Sequence, residues 1–311
     1  MSMKLQRLVL CALPALAVVL VSSAAAERRS SSARIYVLDF SPSWSPNGKR
    51  VVFARARGQV DPNNGECCLL NSSTLQVIGA DGQNLRRIRG NLDFEPAWSP
   101  NGKLIAFLRR GAPALRNRLF VMRPDGSGAR AVRGVALGAG APTWSPSGKE
   151  IAFWQSGSTG RGEIYAVRPD GSGRRKIVSG ADYGVSWSPD GKRLLFARAF
   201  DIHVVNANGS NVRKLTSASG HAYYEPAWSP DGRRVVFRSE LGLYVMRANG
   251  TGIQRITSAR SEVAQDVSPA WSPGGGWIVF SGYRQGSDEP RIFRVKPNGS
   301  GLKRLTTRPR P

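Results

Sequence analysis

Six tryptophans, each opening the string W-S-P, fall at Trp44, Trp98, Trp144, Trp187, Trp228 and Trp271, at steps of 54, 46, 43, 41 and 43 residues. A repeat of this length marks a stacked-unit architecture, because one such unit cannot bury its own apolar face and needs neighbours. Each W-S-P is followed by a turn and an apolar run: "NGKRVVF", "NGKLIAF", "SGKEIAF", "DGKRLLF", "DGRRVVF" and "GGGWIVF". A second turn string closes every unit, from "VIGADGQNLRRI" in the first to "FRVKPNGSGLKRL" in the last. Every unit thus holds four short runs rich in Val, Ile, Leu and aromatics. Proline presets φ and glycine supplies φ > 0, so both links are tight hairpins. Four antiparallel strands repeated six times predict an all-β chain: a six-bladed β-propeller of four-stranded antiparallel blades over residues 34–306, with each Trp packed between neighbouring blades.

These motifs resemble the TolB-like family of WD-type β-propeller repeats, and the resemblance runs from about Phe40 to Thr306. It implies a six-bladed propeller, usually exported in bacteria, that acts through binding. The family's namesake has an additional N-terminal α/β domain. Only about seven residues separate Ala26 from Arg34, so that domain is expected to be absent and its envelope-division role is not carried over. The string "RIYVLD" at Arg34–Asp39 reads as a leftover strand that extends the outer edge of the last blade.

The chain starts with Lys4 and Arg7, an apolar run from Leu8 to Val21 and small residues to Ala26. That pattern predicts a signal peptide over 1–26, then a short segment 27–33, with export to the periplasm or the medium. No later segment is apolar enough to span a bilayer. Without 1–26, 43 basic residues face 21 acidic ones. Such a balance suggests a polyanion. An exported chain meets little nucleic acid, so the counterpart is read as an anionic envelope polymer. Much of the charge also has an architectural reading: Arg86, Arg87, Arg130, Arg174, Arg175, Arg213, Lys214, Lys303 and Arg304 fall in the fourth runs, and charged edges resist pairing with other chains. A tail follows at 307–311.

After the leader only Cys67 and Cys68 remain. They are too few for a disulfide framework. Neighbouring Cα atoms are about 3.8 Å apart, less than disulfides usually span, so a redox-labile vicinal bridge or a link to another chain is expected. His203 occupies a slot that is aromatic in four other units and reads as a packing residue. No G-x-S-x-G, H-E-x-x-H, Walker loop or dinucleotide fingerprint occurs.

The repeats differ most in two places. The link between second and third strands is long in unit 1 (Ala54–Thr74), intermediate in units 2, 3 and 6, and very short in units 4 and 5. One face of the ring therefore has a raised and a low side, and variable loops on a rigid scaffold are where function usually sits. Five residues before Trp stand Asp39, Asp93, Ala139, Asp182, Tyr223 and Asp266, and three before it Ser41, Glu95, Ala141, Gly184, Glu225 and Ser268. These positions open the innermost strand, which lines the channel. Asp39, Asp93, Glu95, Asp182, Glu225 and Asp266 are thus candidate channel-mouth residues, with His221 nearby. They have two readings: caps of local backbone N–H groups, or a cation site. No cofactor is required, but Glu95 and Glu225, from blades opposite each other, are candidate ligands for a divalent cation such as calcium. Overall the sequence reads as a monomeric, non-enzymatic scaffold that binds a protein, a peptide or an envelope polymer. The alternatives are a carbohydrate lyase or glycosidase using His221 with Glu225, and a charge-driven polyanion binder.

Overall fold

The computed structural model describes residues 35–307 except 61–66, 91, 112–115, 158–160, 218–220, 258–262, 285–286 and 288. The expected leader, segment 27–33 and residues 308–311 of the tail lie outside it. Blade 1 comprises β1 (Ile35–Trp44), β2 (Arg50–Val60), β3 (Cys67–Gly79) and β4 (Arg86–Gly90). Blade 2 comprises β5 (Asp93–Trp98), β6 (Ile105–Gly111), β7 (Arg116–Met122) and β8 (Arg130–Ala131). Blade 3 comprises β9 (Ala139–Trp144), β10 (Ile151–Ser156), β11 (Gly162–Val167) and β12 (Arg175–Ala181). Blade 4 comprises β13 (Val185–Trp187), β14 (Arg193–Arg198), β15 (Asp201–Asn206) and β16 (Arg213–Lys214). Blade 5 comprises β17 (Tyr224–Trp228), β18 (Arg234–Ser239), β19 (Gly242–Arg247) and β20 (Gln254–Arg255). Blade 6 comprises β21 (Val263–Trp271), β22 (Ile278–Arg284), β23 (Arg291–Val295) and β24 (Lys303–Arg304). Each is a four-stranded antiparallel sheet in chain order, and no helix occurs among the described residues.

Both turn types bind the blades together. The glycine of each first turn lies against a proline of the preceding blade, as Gly102 does on Pro46 and Gly48 on Pro273. The glycine of each second turn takes φ of 85–95° and sits against a backbone carbonyl of the preceding blade. A Cβ on Gly126 would lie 2.0 Å from the carbonyl oxygen of Ile88, and one on Gly250 2.1 Å from that of Leu215. Glycine is thus required twice over at these positions, for the left-handed backbone and for the close approach. The same contacts join blade 1 to blade 6, so the ring closes by packing and not by a shared strand.

The expected leftover strand is corrected here. Ile35–Asp39 is the first half of β1, on the inner side of blade 1, and pairs with β2 from Ile35↔Gln59 to Asp39↔Arg55. Its partner is available because β2 and β3 are themselves long and stay paired out to Val60↔Cys67. Blade 1 therefore ends in a three-stranded arm where a long loop was expected. The arm is tied to blade 6 by the Asp39 N–H donating to the Pro290 carbonyl (3.1 Å) and by Arg291 Nη1 donating to the Val37 carbonyl (2.6 Å).

The core is one phenylalanine per blade on the second strand: Phe53, Phe107, Phe153, Phe196, Phe237 and Phe280, all fully buried. In five blades a ring from the third strand faces it, and His203 holds that slot in blade 4, 5.5 Å from Phe196. Burial lowers the His203 pKa. The tryptophans pack between blades: Trp144 Nε1 donates to the Ala97 carbonyl (3.0 Å) and Trp271 Nε1 to the Ala227 carbonyl (3.1 Å), each in the blade before. Part of the basic charge also ties blades. Arg130 Nη1 donates to the Pro169 carbonyl (2.7 Å) and Arg175 Nη1 to the Ala207 carbonyl (2.6 Å), each in the next blade.

Candidate functional site

The third residue before each Trp has positive φ in every blade: Ser41 (52°), Glu95 (48°), Ala141 (48°), Gly184 (87°), Glu225 (50°) and Ser268 (54°). Five of the six are not glycine, so the backbone is strained there by design of the fold. In the five other blades a register shift coincides with this position. In blade 4, β13 starts just after it, at Val185. A bulge re-aims the side chain it carries, and all six positions line one central channel.

The channel encloses a central cavity of about 1130 Å³. Its walls are mainly apolar, with Pro42, Pro96, Pro142, Pro226 and Pro269 next to the bulges. Glu95, Asp182, Tyr183 and Glu225 line it. Asp39 and Asp93 do not face it. Asp39 is fully buried, with its two oxygens taken by Arg55 at 2.6 and 2.8 Å. Asp93 repeats this with Arg109 at 2.6 and 2.9 Å, and Arg89 lies 3.5 Å away. In blades 1 and 2 the counter-charge at the first of the two sequence positions is thus an arginine on the adjoining strand. Asp266 lies on β21, and its side chain is outside those described, as are the side chains of Cys67 and Cys68 at the start of β3.

His221 is exposed. Its Nδ1 lies 3.1 Å from Glu240 Oε1, so its carboxylate neighbour is Glu240 and not Glu225. The Glu240 carboxyl, held down to about 2 by donors from its own backbone, His221, Ser239 and the Ala222 N–H, stays ionised.

Glu95 is the unusual group. It is buried, at 7% exposure. Its Oε2 accepts the Ala141 N–H (2.6 Å) and the Tyr183 hydroxyl (2.5 Å), while its Oε1 has no hydrogen-bond partner. Burial pushes its pKa up to about 7, and the charge of Glu225 adds to the rise against the two donors. The Tyr183 phenol lies well above its usual value through burial and the facing carboxylate. Glu225 Oε2 accepts the Ser268 N–H (2.5 Å) and lies 3.3 Å from Arg238 Nε. The two glutamates thus do the same job toward the next blade's bulge.

Two glycines make this arrangement fit. Tyr183 reaches back across blade 3 to Glu95, and a Cβ on Gly140 would lie 2.7 Å from the Tyr183 ring. A Cβ on Gly184 would lie 3.0 Å from Glu225 Cα. Trp154 stands over Tyr183 at 5.6 Å and donates to the Ala181 carbonyl (3.2 Å). Sequence reasoning found the two glutamates by position. It missed Trp154, and it missed Tyr183 and Gly140, whose one signal was departure from the repeat: "AGAPTW" and "DYGVSW" break the pattern set by "DFEPAW".

The ring, its blades and the bulged inner strands define a six-bladed β-propeller with an open, apolar central channel. The chain belongs to the TolB beta propeller domain family, whose model matches residues 60–241 and 225–310. A Tol-Pal system protein TolB of Syntrophus aciditrophicus is 51% identical over 41 residues, which is 13% of this chain and 9% of that protein. The structure of a putative TolB from Agrobacterium tumefaciens superimposes with a TM-score of 0.63 at 24% identity, covering 72% of this chain and 84% of that one. TolB from Acinetobacter baumannii gives 0.65 at 20% identity, covering 88% of this chain and 64% of that one. At these identities the likeness concerns the fold.

Proposed function

We propose that this protein is an exported, non-enzymatic scaffold that receives a protein or peptide partner on the face carrying the links between second and third strands. The observation that carries this reading is the turn Ala199–Phe200 between β14 and β15. Both residues have positive φ, 49° and 69°. A two-residue hairpin turn of this kind ordinarily carries Asn-Gly, and each non-glycine residue forced left-handed costs about 1–2 kcal/mol. The strained turn nonetheless presents a phenylalanine that is 57% exposed. Phe200 meets Tyr224 edge-on at 6.2 Å, and Tyr224 lines the cavity. Leu241 is exposed on the equivalent turn of blade 5. The blade 1 arm stands higher on the same face. Exposed apolar turns across the ring from that arm, next to a channel, suit a docked chain. Export rests on the leader pattern of residues 1–26 and on the family. Binding without catalysis is supported by the side chains themselves: His221 pairs with exposed Glu240, and Glu95 is engaged by a phenol and a backbone N–H.

The test is the double variant Ala199→Asn, Phe200→Gly. It should be more stable than the parent by about 1–3 kcal/mol, since both positions then suit the turn. In affinity capture from the native envelope it should lose the partner that the parent retains. Capture of the same set by both proteins would remove the basis for this reading.

A further inference from the structure

We propose that the groove between blades 1 and 2, on the face that carries the tight turns, binds a phosphate group. This face lies opposite the one that receives the partner in the reading above, so the inference goes beyond that reading and stands independently of it.

The groove is open and has a volume of about 750 Å³. Blade 1 contributes Arg50 at the start of β2 and Arg86 at the start of β4. Blade 2 contributes Lys103 from its first turn, and Arg123 and Asp125 from its second. All four cations are exposed. Among the described residues no carboxylate forms an ion pair with any of them. Asp125 is engaged within its own turn. Its Oδ1 accepts the Ser127 N–H (2.9 Å) and the Ser127 hydroxyl (2.7 Å), the same cap that Asp170 and Asn249 place on their turns.

Comparison with the other blades shows what sets this groove apart. Arg50 stands two residues before Val52, whose partner Val77 pairs with Arg86. In blade 3 the same register places Glu150 two residues before Ala152, whose partner Ala166 pairs with Arg175. There the two side chains form an ion pair at 3.0 Å. Blade 1 has arginine where blade 3 has glutamate, so two like charges occupy the place of a pair. Blade 4 also has two, Arg193 and Arg213, but Arg193 lies over the Trp228 ring at 5.1 Å. The residues at the place of Arg86 in blades 2 and 3, Arg130 and Arg175, donate to a carbonyl of the next blade. Lys103 and Arg123 then add two more positive charges from across the groove.

Charge and shape select the ligand. Like charges gathered in one groove repel one another, and a bound anion relieves them. A carboxylate brings one charge and two oxygens. A phosphate monoester brings a charge of about −1.5 to −2 and three acceptor oxygens, so it can meet several cations at once. The planar fork of arginine matches two of those oxygens together.

The experiment is calorimetric titration of the full chain at about pH 8, where phosphate is a dianion, with inorganic phosphate and with acetate at fixed ionic strength. The expected result is one phosphate per chain, bound at least about tenfold more tightly than acetate. Arg50→Glu recreates the pair of blade 3 by giving Arg86 a carboxylate. It should lower phosphate affinity at least about tenfold and melt no lower than the parent. Arg247→Glu makes the same charge change on the second turn of blade 5, outside the groove, and should stay within about threefold of the parent because distant exposed charges are screened. No phosphate binding by the parent, no preference over acetate, or equal losses in the two variants would each overturn the proposal, the last by showing diffuse charge alone. If Arg50→Glu does not fold, the double variant Lys103→Gln, Arg123→Gln takes its place, and undiminished phosphate binding by it overturns the proposal. Sedimentation with phosphatidylcholine vesicles containing phosphatidic acid distinguishes the sources. Co-sedimentation that Arg50→Glu loses assigns the phosphate to a lipid headgroup. Phosphate binding without co-sedimentation assigns it to a soluble molecule. Either supports the site.

Discussion

Replacing Gly126 by alanine tests whether the second turn of each unit is a joint between blades or merely a turn. Two costs add. Gly126 has φ of 91°, where an L-residue is disfavoured by about 1–2 kcal/mol. The new Cβ would also lie 2.0 Å from the carbonyl oxygen of Ile88, against an ordinary contact of 3.4–4 Å, so the blades must part by more than an ångström. Neither side can yield by a rotamer change, because the obstacle is backbone. Overpacking of this kind costs about 1–3 kcal/mol. The variant should therefore lose about 2–5 kcal/mol. Gly274→Ala is the internal control, for nothing lies within 4 Å of its Cβ and its φ is unexceptional. It should be neutral or gain up to about 1 kcal/mol. Urea denaturation, with slopes compared to check that the unfolding reaction is the same, measures both. A loss under about 0.5 kcal/mol for Gly126→Ala, or equal losses for the two variants, would refute the idea that these glycines join the blades.

Other outcomes follow from single residues. Asp93→Ala removes the buried carboxylate that the half-buried Arg109 pairs with, and should cost about 1–3 kcal/mol in the same assay. His203→Phe gives blade 4 the kind of ring found in blades 2, 3, 5 and 6 and should stay within about 1.5 kcal/mol of the parent. Glu95 gives a pH signature. Its folded pKa of about 7 lies above the unfolded value of about 4.5, so the folded state holds the proton more tightly. Its favourable contribution is complete below pH 4.5 and is lost as pH rises to 7, by about 3 kcal/mol in order of magnitude. Glu95→Gln should flatten that part of the stability–pH curve. Gly140→Ala should push Tyr183 off Glu95 and raise the Glu95 midpoint, which NMR titration of the carboxyl carbon would follow.

The sequence by itself determined the blades. Six W-S-P units with paired glycine turns specify strand number, strand order and the inner hairpin, because period-two alternation and turn chemistry are local properties of the chain. Tertiary structure alone decided what meets what. Arg34–Asp39 looked like a spare strand, yet Ile35–Asp39 joined the inner edge of blade 1, since a partner strand long enough to pair it lies in the same blade. Asp93 and Glu95 looked alike as acidic residues near the channel. Two positions along β5 separate them, but the bulge there turns one into the wall toward an arginine and the other toward the cavity. Tyr183 and Glu95 are 88 residues apart. Nothing local in either segment encodes their hydrogen bond. It exists because the ring brings blades 2, 3 and 4 together and Gly140 leaves the space through which a side chain from one blade can reach another.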